Sequence, residues 1–326
     1  MELDVVFLGT SGSMPTARRA LSATLVRRGG DRLLFDCAEG TQRQLLRSDI
    51  GLVDVEEVFV THFHADHYLG LPGMLKTYAL RGREIPLTVY GPPGVRELLG
   101  TLRRIFGRLT YRVEPVELEP GDQVLRDGYT VEAFAVDHGV TALGYALVEK
   151  ERPGRFDVEI AVALGVPDGP ERGRLQRGEA VTLDGGRVVR PEEVLGPARE
   201  GRKVVLSGDT APSASVVDAA AGADLLVHEA TFLAGERERA RETSHSTAGE
   251  AALVAREAGV TLLALTHVST RYSGHEVLDE ACELFPATVV PRDFDLVAIP
   301  FPERGGPELV RSGARRRRAP LGSVET

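Results

Sequence analysis

The chain lacks tryptophan altogether and carries two cysteines and three methionines in 326 residues, with aromatic side chains at 6%. A core built without them rests on short Val-, Leu- and Ala-rich runs, and the 36 glycines and 19 prolines between those runs mark many tight turns. Strands alternating with helices follow from that texture. Cys37 and Cys282 lie far apart and neither belongs to a C-x-x-C pair, so both read as small buried hydrophobes in a reducing compartment. No apolar run approaches the roughly 18 residues of a membrane span. The opening MELDVVFLGT has none of the charged-then-apolar layout of a signal peptide, and a cytoplasmic protein without membrane contact is the expectation. A surplus of positive charge is also missing. The net charge of −9 excludes a surface that is basic everywhere, so contact with nucleic acid has to come from local patches. One such patch runs from Arg172 to Arg190, where five arginines face only Glu179 and Asp184; the other is Arg315 to Arg318.

Val5 to Gly9 reads as a buried strand, followed by a turn-rich loop, TSGSMPTARR. Leu21–Val26 and Arg32–Asp36 read as strands meeting at a hairpin, Arg28-Gly29-Gly30-Asp31. Glu39–Ser48 has helical character, Val58–Thr61 is strand-like, and Leu87–Tyr90 followed by Val95–Phe106 repeats strand, loop and helix. From about Glu151 to Glu200 the texture turns to Pro, Gly and scattered charge with no long apolar face, as in an insertion that protrudes from the body. The rhythm resumes afterwards, through strands at Lys203–Ser207, Asp224–His228 and Leu262–Thr266 and helices at Pro212–Ala221 and Ser246–Ala258. Order is expected to fade beyond Pro300. The expected domain thus runs from 1 to 310, with 151–200 inserted and 311–326 as a disordered basic tail.

Three of eight histidines fall inside six residues, in THFHADHYLG from Thr61 to Gly70. In extended chain, alternate side chains point the same way, so His62 and His64 converge just past a strand end. Asp66 and His67 follow in the next turn and project towards a second point, the arrangement a two-metal site needs. Imidazole with carboxylate and no thiolate suits zinc or another borderline divalent ion. His138 in AVDHG, Asp209 in LSGDT and His267 in LTHVS each follow a β-like run, which places them on the same sheet edge.

THFHADH carries the H-x-H-x-D-H pattern of the metallo-β-lactamase superfamily, and the wider set of motifs resembles ribonuclease Z, the family that removes 3′ trailers from precursor transfer RNA. The resemblance spans about Leu3 to Pro302. It rests on FLGTSGSMPT, FDCAEGTQRQL, THFHADHYLGLPGM, VDHG, LSGDT, HEAT at His228–Thr231, HST at His245–Thr247 and LTHVSTRY. It implies an α/β fold, a four-layer αββα sandwich with a protruding arm. It also implies two zinc ions per subunit, with manganese or another divalent ion as substitutes. One would be held by His62, His64 and His138, the other by Asp66, His67 and His267, with Asp209 bridging. His245 resembles the general acid, Glu229 the carboxylate that orients it, and Asp66 a general base as well as a ligand; His228 is not a ligand in this reading and His275 lies at the surface.

The resemblance further implies that the insertion, with GVPDGP at Gly165–Pro170, is a flexible arm gripping the transfer-RNA elbow. Gly169, Pro170, Arg172, Arg174 and Arg177 are then substrate-binding, as are Ser269 and Arg271 beside His267. A homodimer, in which one subunit's arm serves the other's site, is implied with it. The expected product is a transfer RNA ending in a 3′-hydroxyl. A hydrolase of small phosphodiesters or sulfate esters, built on the same ligands, is the alternative. One departure stands out: where many bacterial relatives carry P-x-K-x-R-N, this chain has Pro15 to Ala20 with alanine at the lysine and asparagine positions, Ala17 and Ala20. That loop is associated with rejecting transcripts that already end in CCA, so both cleavage positions stay open. Ala65 replaces the more usual glycine.

Overall fold

The computed structural model describes residues 1–48, 50–52 and 55–312; the Arg315–Arg318 run expected as a disordered tail lies outside them. Among the described residues, two large sheets carry the fold. The first orders eight strands as Glu308–Val310, Leu296–Ala298, Leu3–Gly9, Ala23–Arg28, Asp31–Phe35, Glu57–Phe59, Leu87–Gly91 and Val113–Glu117. The second orders seven as Thr288–Val289, Leu262–Thr266, Leu225–Glu229, Lys203–Leu206, Leu143–Glu149, Tyr129–Ala135 and Gln123–Arg126. The hairpin expected from the sequence forms with Arg28 opposite Asp31.

The apolar runs are continuous because these strands are covered on both faces. On one face of the first sheet, Val6, Leu8, Leu25, Leu34, Val58 and Val89 pack with Leu45, Leu75, Tyr78, Leu99 and Phe106 from helices Thr41–Arg47, Leu71–Leu80 and Val95–Phe106. On the other, Phe35, Phe59 and Tyr90 stack in series, and Phe35 and Phe59 meet Tyr145 of the second sheet, with ring centroids 4.6–5.7 Å apart. Each such pair adds about 0.5–1.5 kcal/mol beyond its burial. Tyr145 also donates its hydroxyl to the Val60 carbonyl at 2.8 Å, tying the sheets together just before the histidine cluster begins. Helices Ala214–Ala220, Ala248–Ala258 and Gly274–Cys282 cover the outer face of the second sheet, completing helix, sheet, sheet and helix layers.

The expectation that order fades beyond Pro300 does not hold for the described residues 301–312. Glu308–Val310 pairs antiparallel with Leu296–Ala298, and Arg311 and Ser312 both bind the buried carboxylate of Asp295. Leu296–Ala298 is itself placed by pairing with Leu3–Gly9 at the opposite end of the chain, so no local pattern announced the final strand.

The chain divides into two compact units. One comprises 1–126, 130–147 and 203 onward; the other comprises 127–129 and 148–202. The second unit has a small core of its own, Ala161, Val166, Leu175, Val181, Val189 and Val194, built on helices Val158–Ala163 and Pro170–Gln176 and the hairpin of Val181–Thr182 with Val188–Val189. Sequence texture concealed this core because each short element contributes only one or two apolar residues to it. Within the same unit, Arg202 and Glu149 form a buried bidentate pair, Nε to Oε2 at 2.7 Å and Nη2 to Oε1 at 2.8 Å, where the chain leaves and re-enters.

Candidate metal centre

The strand Glu57–Phe59 ends where the histidines begin, and His64 caps the short helix Ala65–Tyr68 that carries Asp66 and His67. His138 follows the strand Tyr129–Ala135, Asp209 the strand Lys203–Leu206 and His267 the strand Leu262–Thr266. All seven meet in one place. His62 Nε2 and His138 Nε2 lie 2.9 and 3.1 Å from His64 Nδ1, and both stand 3.9 Å from Asp209 Oδ2. On its other side the same Asp209 oxygen lies 3.2 Å from His67 Nε2 and 3.3 Å from His267 Nε2. Asp66 Oδ2 completes this second group, 3.8 Å from His67 Nε2 and 3.4 Å from His267 Nε2.

These separations suit a divalent ion. Donors held at about 2.0–2.1 Å around a tetrahedral centre stand roughly 3.3 Å apart. His67 Nε2 is buried and lies off the line of a hydrogen bond to Asp209 despite the short distance, as two lone pairs facing a shared cation would. Burial, reinforced by the neighbouring His67, pushes the pKa of His62 down to about 2, which keeps its lone pair available. Burial disfavours charge on His67 as well, but the carboxylates of Asp209 and Asp36 outweigh it and raise that pKa well above the usual range. The same negative charge favours a dication at this point.

Four of the five imidazoles have a partner for the outward ring nitrogen among the described residues. His62 Nδ1 lies 3.0 Å from Thr61 Oγ1, His67 Nδ1 2.7 Å from Asp36 Oδ2, His138 Nδ1 2.9 Å from the Ser244 carbonyl and His267 Nδ1 2.9 Å from Thr231 Oγ1. Partners of this kind fix which nitrogen faces a metal. Asp36 is held in turn by the Thr61 amide and hydroxyl at 2.9 and 3.1 Å. Sequence reasoning missed Asp36, Thr61 and Thr231. An acid closing the apolar strand Asp31–Phe35 was the one signal available for Asp36.

The backbone is wound unusually here. Among the described residues five non-glycine positions have positive φ, and four of them lie at this site: Ser13 (59°), Asp36 (57°), Ser244 (53°) and His267 (54°). Three of these touch ligands: Asp36 and Ser244 hold His67 and His138, and the Ser13 amide donates to Asp66 Oδ2 at 2.8 Å; the fourth, His267, is itself one of the seven. Such backbone is costly for L-residues and persists where surrounding contacts enforce it. Gly12 packs so close that a Cβ there would come within 2.6 Å of His267 Nδ1.

His245 stands beside the cluster. Its ring stacks on His267 at 5.5 Å and lies 4.9 Å from His138, while Nδ1 meets Glu229 Oε1 at 2.6 Å. Burial opposes its charge, yet the Glu229 carboxylate prevails and pushes the pKa up to about 9. Glu229 accepts further bonds from the amides of Thr210 and Thr231 and from the Thr231 hydroxyl. Of HST, Ser246 donates to the Thr210 carbonyl and Thr247 caps helix Ala248–Ala258 in a box with Glu250, so the motif aims His245 by anchoring its two successors in the chain. His228 is buried on the same strand as Glu229 and belongs to none of the metal-competent groups among the described residues; His275 is exposed and pairs with Asp279.

The remaining expected residues are more dispersed. Ser269 and Arg271 follow His267, with the Arg271 amide 3.5 Å from Ser269 Oγ. Gly169 and Pro170 open helix Pro170–Gln176, which carries Arg172 and Arg174; Arg177 caps its far end. None of these arginines lacks an acid: Arg172 meets Asp168 at 3.2 Å, and Arg174 and Arg177 share Glu179 at 3.1 and 3.3 Å. In the Pro15–Ala20 loop, Arg19 turns inward and donates to Thr10 Oγ1 and the Pro291 carbonyl, so it braces the loop.

The family model of the metallo-beta-lactamase superfamily matches residues 18–153. A ribonuclease Z from Methanosarcina acetivorans is 47% identical over 302 residues, covering 92% of this chain and 99% of that protein. One from Myxococcus xanthus is 55% identical over 271 residues, covering 83% and 88%. Among solved structures, the short form of human tRNase Z superposes with a TM-score of 0.67 at 27% identity, covering 91% of this chain and 99% of that one.

Proposed function

The chain belongs to the ribonuclease Z family within the metallo-β-lactamase superfamily, and on that premise we propose that it is the metal-dependent endoribonuclease that trims 3′ trailers from precursor transfer RNA. The observation that carries this reading is one carboxylate oxygen, Asp209 Oδ2, shared between two groups of three ligands, with the His245–Glu229 pair alongside.

We assign His62, His64 and His138 as the residues that would hold one zinc ion and Asp66, His67 and His267 as those that would hold a second, with Asp209 within reach of both groups. When bound, such ions supply Lewis acidity, acidifying water and offsetting negative charge on phosphoryl oxygens. The scissile bond joins phosphorus to the 3′ oxygen of the mature transfer RNA, so that oxygen leaves carrying charge and needs a proton. His245 holds one, kept there by Glu229, and delivers it to give the 3′-hydroxyl. Asp66 shares its Oδ2 between the Ser13 amide and the second ligand group, and its pKa lies below the usual carboxylate range: burial raises it, but the hydrogen bond with His267 and the charge of His67 prevail. A base so weakened takes a proton from water poorly, which makes metal holding its principal task.

Substrate is gripped, in this reading, by Ser269 and Arg271 near the centre and by Gly169, Pro170, Arg172, Arg174 and Arg177 on the arm. The pairs of Arg174 and Arg177 with Glu179 are exposed and exchange readily for phosphate, whereas Arg172 is largely buried and only its partner Asp168 lies at the surface. A homodimer acting in the cytoplasm belongs to the same reading. The test is to incubate the purified, zinc-loaded protein with precursor transfer RNAs, with and without encoded CCA, and map both new ends. A transfer RNA with a 3′-hydroxyl and a trailer with a 5′-phosphate are expected. Intact precursor alongside brisk hydrolysis of a small phosphodiester would favour the alternative enzyme.

A further inference from the structure

We propose that Glu236 is a positioning residue for RNA binding, holding Arg271 so that the guanidinium presents its remaining N–H donors to a substrate phosphate. The inference rests on reading Arg271 as a phosphate-binding residue. Glu236 closes the short 3-10 turn Ala234–Glu236, and its Oε2 lies 3.2 Å from Arg271 Nε while also accepting the Tyr272 hydroxyl. Arg271 Cζ stands 5.1 Å over the ring of Phe232 and 5.6 Å over that of Tyr272. The guanidinium is thus fixed at its Nε edge by charge and across its plane by two aromatic faces. A guanidinium has five N–H donors, and this hold engages one side of it. With 39% of the side chain exposed, the other side reaches solvent.

The place is right for a phosphate next to the reacting one. Phe232 lies one ring away from the general acid, its centroid 6.0 Å from that of His245, and its amide is fixed to the Ser246 carbonyl. The loop that carries Glu236 is itself pinned: Glu280 accepts from the Ala234 amide through one oxygen and from the Gly249 amide through the other, each at 2.8 Å. An isolated surface ion pair contributes little and wanders. Here a carboxylate with two donors, on an anchored turn, sets one orientation of an arginine four residues beyond His267. A negative charge near an RNA backbone repels it, so a Glu at this position is useful to binding only through what it does to Arg271.

The experiment measures kcat and KM for precursor transfer RNA with the zinc-loaded wild type and E236A, E236Q, R271A and the double variant E236A/R271A. Zinc content and thermal midpoint are recorded for each, and E236Q serves where E236A folds poorly. Losing the hold should raise KM roughly fivefold with kcat within about twofold, and the double variant should be no worse than R271A, because contacting residues are not additive. E236Q should fall between E236A and wild type, since the amide keeps the acceptor for Tyr272 and loses the charge. A KM that drops in E236A, or full additivity in the double variant, would overturn the positioning role while leaving Arg271 as a binder. An unchanged KM in R271A would instead remove the reading of Arg271 and the proposal with it.

Discussion

At the metal centre, Asp36, Asp209 and Glu229 are buried and each meets an imidazole at 2.6–3.2 Å, whereas on helix Pro170–Gln176 and its flanks the acids that meet arginines, Asp168 and Glu179, are at the surface. Buried charge pairs are expensive to form and very costly to break, since removing one partner strands the other. Exposed pairs are cheap to open. The first kind resists exchange of its partners; the second can trade one anion for another. Under the proposed function, reaction and recognition would draw on opposite regimes of the same electrostatics.

The contrast can be broken or sharpened in steps of decreasing size. Asp209→Ala removes the oxygen common to both ligand groups, and turnover of precursor transfer RNA should fall on the order of 10^3-fold or more, with zinc content falling too. Full zinc content in that variant would show that the two groups hold metal without it. His245→Ala should cost about 10^2- to 10^4-fold in kcat with zinc retained. Glu229→Gln should move the alkaline fall of kcat to lower pH, because the carboxylate is what raises the His245 pKa; a shift to higher pH would reverse the assigned sign.

Asp36→Asn keeps the shape but loses the charge behind His67, and zinc affinity should weaken about 10- to 100-fold in a chelator competition. Smallest is the arm: in the double variant Arg174→Ala and Arg177→Ala, KM should rise more than kcat falls, and its dependence on salt should flatten by roughly one to two in log–log slope. An unaltered slope would mean that Glu179, not phosphate, is the lasting partner of both arginines.

Legibility in the sequence divides along the same line. His62, His64, Asp66 and His67 announce themselves because ligand spacing on one strand end is a local property. His138, Asp209 and His267 were found from a subtler regularity, a polar residue directly after an apolar run. Asp36 and Thr231 were not, since their roles are defined only by contacts with His67, 31 residues on, and His267, 36 residues on. Likewise the arginines from Arg172 to Arg177 read as a basic patch faced only by Glu179 and Asp184; the fold adds Asp168 and sets Glu179 against two of them. The strand Glu308–Val310 escaped notice for the same reason, its partner being chosen by the sheet.

The left-handed turns at Ser13, Asp36, Ser244 and His267 set a limit on transplantation. Copying the seven side chains onto loops of ordinary handedness in another scaffold would aim the imidazoles elsewhere, whatever the spacing of their letters. What a transplant has to carry is the path of four short loops, and the seven side chains are passengers on it.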